Sequence, residues 1–294
     1  MQTLREALEK ARTARTALGH FNISDSNQLK AVARAAKETG LPVVVGLSEG
    51  EREFFPLADA RALIDLHRKE GLELYLNADH TYSLEKVREA IDAGVDSVVV
   101  DGAKLPREEN EALVKGSVAY ARASGRPSTS LRVNEVLVEG ELGYIGSSSK
   151  VIDALPEGAV VTEEMMTKPE ELASFVAATG VHLMAPAVGN IHGIVKSGQP
   201  KLSIARIKAL AEASPVPLVL HGGSGSGDRE FVEAIKAGIA LIHINTDLRL
   251  AYRQALEKEL TDEPSETTPY KFLAPAVEEM EKYIAQKMRL FAGK

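Results

Sequence analysis

The chain has 294 residues, 44% hydrophobic and 26% charged, a balance that suits a soluble globular protein with a sizeable core. Its net charge of −7 is spread along the chain without a basic block, and only 5% of residues are aromatic, none of them Trp, which excludes a nucleic-acid surface of basic stripes and stacking rings. There is no cysteine, so thiolate ligands and cysteine nucleophiles are excluded, and any metal must rest on His, Asp and Glu.

Met1-Gln-Thr-Leu-Arg-Glu6 reads as the start of an amphipathic helix (Leu4 to Ala14) and not as a signal peptide. No apolar run approaches the roughly 18 residues of a membrane span, so a cytoplasmic chain with no membrane partner is expected. A strand over Ala17 to Ile23 follows, then a helix capped by Ser26 and closed by Gly40. Pro42 to Ser48 is the second strand, and a helix spans about Pro56 to Lys69. Leu74 to Asp79 is the third strand, followed by a helix that Ser83 caps. The fourth strand, Ser97 to Asp101, precedes a helix from Pro106 to about Ala123. After a polar patch (Ser124 to Asn134) comes the fifth strand, Val136 to Glu141, and then an irregular segment, Gly143 to about Thr167, of a length and Ser/Gly content that suit a lid. Pro169 opens a helix to Thr179, and Val181 to Val188 is the sixth strand. A helix over Ser203 to Ala213 leads to the seventh strand, Val216-Pro-Leu-Val-Leu220, which runs into His221-Gly-Gly-Ser-Gly225. Asp228 caps the next helix, Leu241 to Asn245 is the eighth strand, and a helix runs on to about Glu259. A linker (Thr261 to Thr268) precedes a C-terminal helix from about Pro275 to Leu290.

Eight short strands alternating with helices mean parallel βαβ units. The expected architecture is α/β: a single (β/α)8 TIM barrel over residues 1–294, with a short N-terminal helix and a long C-terminal helical extension at about 270–291. A doubly wound sheet is the structural alternative.

In such a barrel the active site lies at the carboxyl ends of the strands. Of seven histidines, His80, His192, His221 and His243 stand at or just beyond strand ends, and His20 lies within the first strand. His67 falls in a helix, and His182 opens the sixth strand at the opposite face, where a structural role is expected. Three neutral imidazoles from separate strands make a competent Zn²⁺ site, and Asp79 beside His80 is placed to move a proton. Gly222-Gly-Ser224, Gly189 to Gly193 and the turn Asn245-Thr-Asp247 offer amides and hydroxyls to phosphate. Together these describe a metal-assisted reaction on a phosphorylated carbonyl compound.

Asp79-His80, Val138-Glu-Gly-Glu-Leu-Gly143, Val188-Gly-Asn-Ile-His-Gly193, Leu218-Val-Leu-His-Gly-Gly-Ser224 and Thr246-Asp247 resemble the motifs of the class II, metal-dependent ketose-bisphosphate aldolases. Phe21-Asn22, Ser48-Glu-Gly50 and Asp101-Gly102 agree, so the resemblance spans nearly the whole chain in order. It implies reversible cleavage of fructose 1,6-bisphosphate, or of its tagatose epimer, to dihydroxyacetone phosphate and glyceraldehyde 3-phosphate. It also implies one Zn²⁺ per chain (another divalent metal being the alternative) on His80, His192 and His221, with Asp101 and Glu141 as alternative ligands. Asp79 would shuttle the proton of the C4 hydroxyl, while Asn22, Ser48, Gly193, Gly222, Gly223, Ser224, His243, Asn245 and Thr246 would face the substrate and its phosphate. A monovalent cation near the phosphate and a homodimeric or homotetrameric assembly belong to the same implication.

Three departures stand out. Where the family reads Lys, an apolar residue, then Asn on strand eight, this chain has Leu241 and His243. Asn77 replaces a frequent His two residues before the catalytic Asp, and the acidic pair of the lid is replaced by Gly146-Ser-Ser-Ser-Lys150. The lid base is then sought among Asp153, Glu157, Glu163 and Glu164. The altered residues motivate a competing expectation, a non-catalytic barrel subunit supporting a partner aldolase.

Overall fold

The alternation of apolar strands and amphipathic helices closes into one parallel barrel. The computed structural model describes residues 1–124, 135–143, 145, 150–153 and 162–294. Strands β1 (Leu18–Asn22), β2 (Val43–Leu47), β3 (Leu74–Thr81), β4 (Ser97–Val100), β5 (Leu137–Leu142), β6 (Leu183–Pro186), β7 (Leu218–Leu220) and β8 (Ile239–Ile244) stand side by side in chain order, and β8 pairs with β1. This is the expected (β/α)8 architecture, and the doubly wound alternative is excluded by the closure.

Side chains alternate in and out along each strand, and the two faces are chemically different. The outward residues, such as Phe21, Val43, Val45, Leu74 and Leu76, form the main core beneath the helices. The inward residues stack in levels. At the bottom, Leu18, Val44, Tyr75, Leu137, Leu183, Val219 and Leu241 form a separate apolar cluster. It is sealed by the N-terminal helix Leu4–Ala14, which contributes Leu4, Ala7, Leu8 and Ala11 and is held by a capping box between Thr3 and Glu6. Leu241 therefore belongs to the apolar floor. The middle level holds His20, Asn77, Glu139 and His243, all buried. Asn22, Asp79 and Glu141 follow two residues later on the same strands and form the rim. Gly46 makes the middle level possible: a Cβ there would lie 2.1 Å from Cε1 of His20.

The C-terminal helix Ala274–Phe291 packs against Ser26–Thr39 and Thr246–Asp262, so the extension closes the outer helical ring. No helix among the described residues is long and apolar enough to cross a membrane.

Several boundaries differ from expectation for local reasons. The first long helix is capped by Asp25 instead of Ser26, its carboxylate accepting from the amides of Asn27 and Gln28. The helix Asp228–Ala237 is preceded by Gly227, so Asp228 sits in its first turn. β3 continues through His80 to Thr81. A short helix, Glu49–Phe54, lies before Leu57–Lys69 and was not expected. Of the proposed lid, residues 144, 146–149 and 154–161, including Glu157, lie outside the described residues, as does most of the 124–134 patch. The described parts hold a parallel pairing of Val151–Ile152 with Ile194–Val195 and a 3₁₀ turn over Glu163–Met165.

Candidate metal centre and phosphate turn

Three barrel positions bring His80, His192 and His221 together with Glu141, and one ligand-capable atom from each lies within 4.8 Å of the others. The rings meet edge-on, with centroids 4.8 Å (His80–His192), 5.1 Å (His80–His221) and 5.7 Å (His192–His221) apart. Nδ1 of His221 is 3.2 Å from Oε1 of Glu141, and neither atom has a hydrogen-bond partner among the described residues although both are buried. Two lone-pair atoms facing each other in a dry interior are costly unless a cation lies between them. The imidazole and carboxylate donors fit Zn²⁺ or a similar divalent metal.

Local backbone explains how the ligands are aimed. His80 has φ +37°, unusual for a non-glycine residue, where the β3–β4 register shifts between Ala78 and Thr81. The irregularity leaves Nδ1 of His80 2.9 Å from Asp101 Oδ2 and 3.3 Å from Glu141 Oε1. On His221 the opposite nitrogen, Nε2, is 2.6 Å from Glu139 Oε1, which fixes the ring with Nδ1 toward Glu141.

The charges are strongly coupled. Burial would lower the His80 imidazole, but Asp79, then Glu141 and Asp101, raise it to about 10. Burial favours a protonated Asp79, yet the neighbouring His80 charge outweighs it and holds the carboxyl well below its usual range. Burial, Asp79 and Glu141 push Glu139 well above that range, and burial with Asp101 and Asp79 takes Glu141 to about 8 against the pull of His80. Without a metal, the cluster must hold protons to limit repulsion among its carboxylates; a divalent cation replaces them.

Behind the centre, His20 and His243 stack at 3.5 Å between centroids and 5° between planes, and His243 stacks on His221 at 4.0 Å. Burial, then the adjacent His243, lowers His20 to about 3; burial lowers His243 despite Asp79. The stacked pair is therefore neutral. Nδ1 of His243 lies 3.5 Å from Asp79 Oδ1, while Asp79 Oδ2 accepts from Asn22 Nδ2 at 2.9 Å.

Beyond His221 the chain turns through Gly222 at φ +62°, where a Cβ would lie 2.3 Å from the carbonyl oxygen of Ile191. Ser224 Oγ accepts from the Asp247 amide at 3.2 Å, and Asp247 Oδ2 accepts from the Gly225 amide at 3.1 Å and from Tyr283 Oη at 2.8 Å. The turn is thereby fastened to the start of the helix Thr246–Asp262, whose amino terminus adds a field favourable to an anion.

These parts share a cavity of about 420 Å³. Its lining includes Asp79, His80, His192, His221 and His243, the glycines Gly193 and Gly222, and Asn22, Ser48, Ser224, Asn245 and Thr246. Gly223 is buried beneath its turn, donating to the His243 carbonyl at 3.3 Å, while Asp101 and Glu141 stand behind His80. Asp153, Glu163 and Glu164 do not line the cavity: Asp153 is exposed and pairs with Lys196 at 3.0 Å, and the two glutamates occupy the exposed 3₁₀ turn. His182 lies at the other face, as expected, its Nδ1 accepting from the Val138 amide at 2.9 Å.

Residues without an assigned role in the sequence reading also contribute. Glu51, Tyr82 and Arg249 line the cavity, and Arg52 donates to the carbonyls of Asp79 and His80 and to Thr81 Oγ1. The run Ser48-Glu-Gly-Glu51 has the spacing of a capping box, the available signal for the extra helix and for Glu51. Glu139 shares the inward parity of Glu141, which was the signal for its place beside His221.

Residues 2–294 match the family model described as fructose-bisphosphate aldolase class-II. The fructose-bisphosphate aldolase of Geobacillus stearothermophilus is 32% identical over 297 residues, covering 99% of this chain and 96% of that protein. A probable fructose-bisphosphate aldolase of Bacillus subtilis (strain 168) is also 32% identical, covering 99% and 97%. The crystal structure of the YdjI aldolase from Escherichia coli K12 superposes with a TM-score of 0.80 at 27% identity, covering 98% of this chain and 96% of that one. A barrel of this topology, matched over its full length, identifies the chain as an aldolase that belongs to the class II fructose-bisphosphate aldolase family.

Proposed function

We propose that the chain catalyses reversible, metal-dependent aldol cleavage of a phosphorylated ketose, releasing dihydroxyacetone phosphate and an aldehyde. The observation that carries this reading is the convergence of His80, His192 and His221 beside Asp79 in the cavity that also holds the Gly222–Ser224 turn. His80, His192 and His221 would hold the metal, with Glu141 adjoining, and Zn²⁺ is the first candidate. When bound, the metal supplies a Lewis acid for the ketone oxygen and the charge that develops there.

The protein's own residues account for the rest. The carboxylate of Asp79, kept ionised and steadied through Oδ2 by Asn22, takes the C4 hydroxyl proton as the C3–C4 bond breaks. C4 becomes the aldehyde carbon, the bonding pair stays on C3, and a proton delivered to C3 completes dihydroxyacetone phosphate. The amides of the Gly222–Ser224 turn and the hydroxyls of Ser224 and Thr246 suit the phosphate of that product. Glu139 holds His221 in one ring orientation.

The names of the relatives make fructose 1,6-bisphosphate the first substrate to test, with its tagatose epimer and the corresponding ketose 1-phosphates alongside. Enzyme-coupled detection of dihydroxyacetone phosphate should show chelator-sensitive cleavage within this panel. Asp79→Ala should retain the metal and lose about 10²–10⁴-fold in kcat. Cleavage that is indifferent to chelation, or that survives Asp79→Ala, would remove the proposed mechanism.

A further inference from the structure

The short helix Glu49–Phe54 reaches the site through two consecutive residues, and each bears on Asp79 in a different way. Arg52 donates to the main-chain carbonyls of Asp79 and His80 and to Thr81 Oγ1, which pins the backbone on which the carboxylate stands. With that backbone fixed, the carboxylate can still turn about its two side-chain torsions. What stops it is Asn22, whose Nδ2 donates to Asp79 Oδ2 at 2.9 Å. Oδ1 lacks a hydrogen-bond partner among the described residues, with Nδ1 of His243 3.5 Å away, so it is the oxygen left to take the C4 hydroxyl proton.

Asn22 is itself held by Glu51. The second hydrogen of the same Nδ2 goes to Glu51 Oε2 at 2.9 Å, so one amide bridges the two carboxylates. Glu51 is anchored on either side: Oε2 also accepts from the Ser48 amide at 2.7 Å, and Oε1 accepts from Asn245 Nδ2 at 3.3 Å. A carboxylate serving only as a capping-box partner would need the Ser48 amide and nothing more. The two further contacts tie the end of β1 to the residue that follows β8, and all of these side chains line the cavity. Among the described residues, the hydrogen bonds of Glu51 reach neither the three histidines nor the Gly222–Ser224 turn.

We propose that Glu51 is a positioning residue for the proton transfer: by fixing the Asn22 amide, it holds the Asp79 carboxylate in the orientation that presents Oδ1 to the C4 hydroxyl. This rests on the aldolase reading above and adds a residue to it. A carboxylate free to rotate spends little of its time at the reacting geometry, and a misplacement on the order of 1 Å can cost about 10²-fold in rate. Glu51 therefore bears on the cleavage step, and not on metal or phosphate binding.

The test uses the full-length protein loaded with Zn²⁺ and follows two reactions. Cleavage of the ketose that the parent prefers within the panel above requires the C4 hydroxyl proton to move. Exchange of a hydroxymethyl hydrogen of dihydroxyacetone phosphate with deuterated water, read by proton NMR, breaks and remakes one carbon–hydrogen bond and involves no C4 oxygen. Glu51→Ala should lower kcat for cleavage by about 10–10²-fold, while KM and the exchange rate stay within about twofold of the parent. Glu51→Gln keeps an oxygen for Asn22 and Ser48. Its amide can donate to Asn245 Oδ1, buried and without a hydrogen-bond partner among the described residues, once that side chain turns over. This variant should therefore recover kcat to within about threefold of the parent. Unchanged cleavage by Glu51→Ala overturns this inference alone. So does a parallel loss of cleavage and exchange, or a loss of bound zinc, since either makes Glu51 part of the scaffold. A Glu51→Gln protein as slow as Glu51→Ala overturns it as well, because charge and not orientation would then be at stake. A parent that cleaves no ketose in the panel overturns the aldolase reading and this inference with it.

Discussion

Glu139 offers a sharp test of how the proposed metal centre is held. It is fully buried, its Oε1 lies 2.6 Å from Nε2 of His221, and the other ring nitrogen faces Glu141. The carboxylate therefore selects the tautomer with its proton on the Glu139 side, leaving the Nδ1 lone pair for a metal. Removing such a partner typically costs 10–100-fold in metal affinity, or about 1.4–2.7 kcal/mol at 1.36 kcal/mol per tenfold. Glu139→Ala should show that loss in a competition titration against a chromophoric chelator. Glu139→Gln keeps a carbonyl oxygen to accept from Nε2 and should recover most of the affinity. If both variants bind as tightly as the parent, His221 is not oriented by Glu139. If both lose affinity equally, charge and not ring orientation is what Glu139 supplies.

Two further outcomes follow from buried histidines. Burial, with Arg5 and Arg122 acting against Glu135, lowers His182 from 6.5 to about 4 in the folded chain. Because the folded pKa is depressed, the neutral form's contribution is complete above pH 6.5 and is lost as pH falls toward 4. Discounted for the ring's partial solvation, the loss should be about 1–3 kcal/mol, and His182→Gln should flatten that part of the stability profile in urea titrations; an unchanged profile would refute the assignment. His243→Asn removes the ring stacked between His20 and His221 and should cost about 1–3 kcal/mol in the same measurement, a prediction that an unaltered unfolding midpoint would sink.

The strand ends were legible because parallel strands buried on both faces leave a strong apolar signal that stops where the rim chemistry starts. Asp79-His80, His192 and His221 are all found this way, and their convergence follows once the barrel closes. The helix Glu49–Phe54 was not legible from periodicity, since it is six residues long and buries none of them. With it went Glu51, which accepts from Asn22, and Arg52, which donates to the carbonyls of Asp79 and His80. The reach of β3 to Thr81 was hidden for another reason: His80 is held at positive φ by a register shift against β4, a pairing that local propensity does not encode.

The departures on strands three and eight acquire a common cause in the barrel's middle level. Asn77 and His243 stand far apart in sequence, yet both contact His20: its Nε2 is 3.0 Å from Asn77 Oδ1, and its ring lies flat on His243. Asn77 in turn donates to Ser97 Oγ at 2.7 Å, which orients its amide so that the oxygen faces His20 as an acceptor. A histidine at 77 would lose that ordered donor–acceptor chain and set another imidazole against a ring already stripped of its charge by burial. An asparagine at 243 would uncover one face of His20 and leave a gap beneath His221. Gly46 completes the set, because any side chain there would occupy the space of the His20 ring. The four positions therefore form one packing solution, a stacked, neutral imidazole pair beside His221.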